Sequence, residues 1–74
     1  MGLFEFGGKA PRVGEGTWVA ESAQIIGDVV IGKQCWIGPG AVLRGDFGSI
    51  VIGDCSAVED GAVIHTPSRV EIGS

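Results

Sequence analysis

Aliphatic residues recur at every sixth position of this chain, and few architectures accommodate such a period. Val13, Val19, Ile25, Ile31, Ile37 and Leu43 stand six apart; the phase then slips by three residues and resumes at Ile52, Val58 and Ile64. An amphipathic helix repeats every 3.6 residues and a half-buried strand every two, so neither produces this pattern. A second register supports it. The fourth position after each aliphatic reads Thr17, Ala23, Val29, Cys35, Ala41, Phe47, then Ser56, Ala62 and Ser68; all are small or β-branched except Phe47, which sits at the slip. Six residues suffice for one short strand and one tight turn, which form one flat side of a coil. Three sides close a triangle, and each coil pairs with the one beneath it at about 4.8 Å. The aliphatic and small residues then point inward, each aliphatic stacking on its equivalent three hexapeptides away.

The expected fold is therefore all-β: a parallel β-helix of about three triangular coils over residues 13–74, incomplete at its C-terminal end. Residues 1–12 lie outside the phase and form an N-terminal cap segment, in which Phe4 and Phe6 are expected to cover the open end of the first coil. The 18-residue separation of Trp18 and Trp36 places both on one side of successive coils and predicts stacked indoles. Fourteen glycines against three prolines fit repeated tight turns better than a Pro-rich linker. A chain this small buries a modest core, and a last coil with open strand edges invites association. An oligomer is expected, a trimer favoured.

Charge excludes some partners. The net charge is −4, and Lys9, Arg12, Lys33, Arg44 and Arg69 are scattered singly. Without a basic patch nucleic acid is not expected. No apolar run approaches a membrane span. Met1 to Ala10 lacks the basic start and long apolar core of a secretion signal, so the expected location is cytoplasmic. Cys35 and Cys55 then read as reduced thiols without metal-ligand spacing.

The repeat breaks at Leu43-Arg44-Gly45-Asp46-Phe47-Gly48-Ser49, and breaks in a solenoid tend to become loops on a binding face. Gly45 and Gly48 are expected to permit unusual backbone angles there. Arg44, Glu59 and His65 share a phase, directly after an inward aliphatic. Arg44 and His65 fall on one side, one coil apart; Glu59 falls on the preceding side, and Asp46 lies in the break. Simpler roles compete: a structural Arg44–Asp46 ion pair, a solvated Glu59 and a surface His65.

The units Ile31-Gly32-Lys33-Gln34-Cys35-Trp36 and Ile37-Gly38-Pro39-Gly40-Ala41-Val42 resemble the hexapeptide-repeat family, and the resemblance covers Val13 to Ser74. It implies a left-handed coil, against the usual right-handed crossover. Arg44-Gly45-Asp46, Ile52-Gly53-Asp54 and Val58-Glu59-Asp60-Gly61-Ala62-Val63-Ile64-His65 further resemble the γ-class carbonic anhydrase branch, which includes ferripyochelin-binding and carnitine-operon proteins. That resemblance implies a homotrimer with zinc or iron between subunits. His65 matches the first of three histidine ligands, and Arg44 with Asp46 a subunit-interface ion pair. Asp60 matches the aspartate of a Gln-Asp-Gly segment. Glu59 stands where the branch commonly has Gln near the metal-bound water, and is the candidate catalytic residue. Ala57 replaces a common Asn. In the branch the two other histidine ligands follow on later coils, and this chain holds a single His. The expectation is a truncated γ-carbonic-anhydrase-like protein that binds no metal on its own. The alternatives are a hexapeptide acyltransferase, with His65 as general base, and a non-enzymatic trimeric assembly protein.

Overall fold

A computed structural model describes residues 2–73. The strands are β1 (Gly2–Phe4), β2 (Arg12–Val13), β3 (Trp18–Val19), β4 (Gln24–Ile31), β5 (Trp36–Ile37), β6 (Val42–Ile52), β7 (Ala57–Val58), β8 (Val63–His65) and β9 (Arg69–Ile72). Every strand pairing among them is parallel. Together they build a left-handed parallel β-helix with three faces. The first face stacks β1, the start of β4, the start of β6, and β8. On the second face lie β2, the ends of β4 and β6, and β9. The third face is the sheet β3-β5-β7. Strands β4 and β6 are long because each runs around the corner between the first two faces.

The period-six aliphatics line the interior, as the sequence predicts. Register pairs Ile25 with Leu43 and Leu43 with Ile64 on the first face. It pairs Val13 with Ile31 and Ile31 with Ile52 on the second, and Val19 with Ile37 and Ile37 with Val58 on the third. Ile25, Ile37 and Leu43 are wholly buried, with Ala23, Val29, Cys35 and Ala41 filling the corners. Small corner residues follow from geometry: two faces converge at each corner and leave little volume. Cys35 and Thr17, which holds the equivalent position one coil earlier, also carry hydrogen bonds. Thr17 Oγ1 donates to the Gly32 carbonyl and accepts from the Cys35 amide, and the Cys35 thiol donates to the Gly53 carbonyl at 3.1 Å. Both cysteines are free thiols, Cys35 buried and Cys55 exposed.

Four expectations need correction. First, the break at Leu43–Ser49 does not leave the sheet as a loop. It is a bulge within β6, where Gly27 pairs with Gly45 but Val29 pairs with Ile50, so Asp28 alone opposes four residues. Second, neither Gly45 nor Gly48 has positive φ. They are glycines because a Cβ at Gly45 would strike the Asp28 backbone, and one at Gly48 the carbonyls of Thr66 and Ser68. Third, the phase slips again after Ile64: β9 places Ile72, not a residue six on, beneath Ile52. Ser68 is consequently exposed rather than inward. Fourth, Phe4 and Phe6 do not plug the first coil. The chain instead adds β1, whose Leu3 lies over Ile25, and both phenylalanines remain about half exposed.

Candidate functional site

Parallel pairing of β6 with β8 sets Arg44 directly beside His65 in register. Both side chains point outward on the first face, because their predecessors Leu43 and Ile64 point in. Two residues on, the β6 bulge turns Asp46 back between them. Arg44 Nε and Nη2 donate to Asp46 Oδ2 at 3.2 and 2.9 Å, and the Phe47 amide donates to Asp46 Oδ1 at 2.8 Å. His65 Nε2 lies 3.2 Å from that same Oδ1. The Asp46 side chain is only 10% exposed, against 43% for Arg44 and 37% for His65. The Arg44 guanidinium holds the Asp46 carboxyl below the usual carboxylate range, opposed by partial burial and assisted by the Phe47 amide.

The structure thus joins three of the five residues singled out from sequence. It does not bring Glu59 to them. Glu59 follows β7 on the approach to the next corner, is exposed, and its side chain enters none of the ion pairs or hydrogen bonds of the described residues. Asp60 is also exposed, in the turn that leads to β8, with its carboxylate beside Gly38 on the coil above. That closeness explains Gly38, where a Cβ would meet Asp60 and the Trp36 ring.

A catalytic zinc usually takes three protein ligands and a water. Among the described residues no group of three or more His, Cys, Asp or Glu side chains could hold a metal ion. The nearest acidic neighbour of His65 already accepts hydrogen bonds from Arg44 and Phe47. The described residues of one copy thus assemble no zinc or iron site by themselves.

The sequence profile of the bacterial transferase hexapeptide (six repeats) family matches residues 10–45. A solved hexapeptide transferase family protein from Anaplasma phagocytophilum superimposes with a TM-score of 0.89 at 39% identity, covering 97% of this chain and 46% of that one. The chain carries this family's hexapeptide repeat over residues 10–45 and shares the fold of its solved neighbour. Among relatives of this hexapeptide-repeat chain, an uncharacterized Dictyostelium discoideum protein is 51% identical over 71 residues, 96% of the chain and 29% of the relative. Carnitine operon protein CaiE of Proteus sp. (strain LE138) is 40% identical over 65 residues, 88% of the chain and 33% of the relative. The chain therefore spans about a third of the length of these curated relatives. No helix among the described residues is long and apolar enough to cross a membrane.

Residues at the corner beside this cluster escaped the sequence reading: Lys9, Asp28, Ser49 and Ser68 line an open groove with Phe6 and Phe47. Their signal is visible only once strand register is known, because it consists of unequal corner lengths.

Proposed function

We propose that the chain is a β-helical unit of the γ-carbonic-anhydrase-like branch, whose Arg44–Asp46–His65 edge meets another copy in a homo-oligomer. The observation that supports this reading is the convergence of Arg44 and His65, from successive coils, on one largely buried carboxylate. A guanidinium and an imidazole held on a flat outward face give a second copy a preorganised polar contact. The reading assigns no catalysis to a single chain. Reversible CO2 hydration would belong to an assembly in which donors beyond His65 complete a metal site.

Metal analysis for zinc, iron and cobalt, combined with light scattering, tests it. A trimer or other oligomer is expected, dissociating when His65→Ala and Arg44→Ala are combined. A monomer at working concentration would overturn the reading. Metal bound stoichiometrically to a monomer would do so too. A second reading, hexapeptide acyltransferase, draws on the His65–Asp46 pairing, since a carboxylate beside an imidazole orients it as a general base. Saturable binding of acetyl-CoA, abolished by His65→Ala, would favour that alternative.

A further inference from the structure

The corner between the first and second faces is where the coils differ in length. The coil of β4 turns it at Gly27–Asp28 with no additional residue. The coil above inserts four residues between β1 and β2, as the shift from Gly2↔Gln24 to Arg12↔Val30 requires. The coil below inserts three, within the β6 bulge, and the last coil two, before β9. One corner of the triangle thus collects every insertion, and the shortest turn lies recessed between two overhangs. The upper overhang is the tight Phe6-Gly7-Gly8-Lys9 turn, which has positive φ at both glycines and a Phe6–Lys9 bridge. The lower overhang is Asp46–Ser49. Phe6 meets Phe47 edge to face across the recess, with ring centroids 6.2 Å apart.

The result is a groove of about 350 Å³, lined among others by Phe6, Lys9, Asp28, Phe47, Ser49 and Ser68. That volume is at the small end of ligand pockets, roughly 300–1,000 Å³. Asp46 lines it too, with its carboxylate already engaged by Arg44 and the Phe47 amide. Neither Lys9 nor Asp28 takes part in an ion pair among the described residues. An ammonium and a carboxylate therefore share one groove with their hydrogen-bonding capacity open, beside two aromatic rings and two hydroxyls.

We propose that this groove binds a small zwitterion of the amino-acid type that carries an apolar or aromatic group. The solute's carboxylate pairs with Lys9 and its ammonium with Asp28. Its apolar part lies against the Phe6–Phe47 pair, and Ser49 and Ser68 supply further hydrogen bonds. A simple anion would lack a partner for Asp28 and lie near Asp46; a simple cation would face Lys9. A zwitterion alone satisfies both charges at once. The groove adjoins the Arg44–Asp46–His65 cluster through Asp46, which lines both, but the proposed contacts fall on Lys9, Asp28 and the two rings and go beyond the proposed function.

The test is titration of the full chain with L-phenylalanine, followed by amide NMR shifts, with phenylacetate and phenethylamine as single-charge controls. Saturable shifts at Lys9, Asp28 and Phe47 are expected. Lys9→Gln and Asp28→Asn should each weaken binding roughly tenfold, the size of one charge-assisted contact, and each control compound should bind more weakly by a similar factor. Both variants should keep the wild-type melting midpoint. Absence of saturable shifts would overturn the proposal. So would equal binding by the single-charge compounds, or unchanged affinity in both variants.

Discussion

Asp46 shows how one side chain can serve two coils. Its carboxylate takes hydrogen bonds from Arg44 on its own strand and approaches His65 on the next. Because the Arg44 guanidinium lowers its pKa, the ionised form is favoured in the folded chain. A depressed folded-state pKa contributes stability that is fully present above the unfolded value, about 3.9, and is lost as pH falls through the folded value. The urea midpoint of the wild-type chain should therefore exceed that of Asp46→Asn near neutrality. The gap should close on acidification below about pH 4. A gap independent of pH would mean that the carboxylate's charge plays no part. Turn residues show a different constraint. Gln34 and Cys55 occupy equivalent turns with φ of 58° and 61°, where Gly16 has 78°. Two side chains thus tolerate a left-handed conformation that glycine adopts freely.

Among the elements, β6 decides the site. It pairs with β4 above, and with β8 and β9 below, so its bulge has to fit between two backbones. The fit depends on the missing side chains of Gly45 and Gly48 rather than on their backbone freedom. Gly45→Ala should cost about 1–3 kcal/mol, as overpacking against rigid backbone does. Gly61→Asn provides the contrast. Gly61 has φ of 71° with open space around it, and asparagine tolerates that conformation, so a change well under 1 kcal/mol is expected. Urea unfolding of the two variants measures both; equal losses would contradict the close-approach account. The indoles of Trp18 and Trp36 stack with centroids 5.5 Å apart and planes inclined by 24°, the outcome expected from their shared side of successive coils.

For the molecule as a whole, stability resides in three columns of inward aliphatics. A chain of this length has a total stability of roughly 4–11 kcal/mol. Leu43 lies wholly buried between Ile25 and Ile64. Leu43→Ala should therefore remove about 2–5 kcal/mol, a large share of the total. Val63, 66% exposed on the same face, should lose no more than about 0.5 kcal/mol on change to Ala. Comparable losses at the two positions, read by urea unfolding, would show that the interior columns do not dominate.

The repeat made most of this fold legible. An aliphatic every sixth residue has one economical solution, a triangular coil, and its phase placed Arg44 beside His65 correctly because register in a solenoid follows from counting. The slip at Leu43–Ser49 was equally visible, and its position beside the candidate site was right. The sequence could not specify how the slip is absorbed. Whether three extra residues leave as a loop or stay as a bulge depends on the backbones above and below, and these exclude a Cβ at Gly45 and Gly48. The second slip was hidden, because Val70 and Ile72 are both aliphatic and both enter the second face from β9; only pairing with Ile50 and Ile52 identifies which follows the stack. Counting also puts Glu59 on the preceding face, and the corner between the two faces keeps it out of the Arg44–Asp46–His65 cluster. Local pattern determined the coil, its interior and its register. Tertiary packing alone decided the corner, because the groove there exists only as a difference in length between stacked turns.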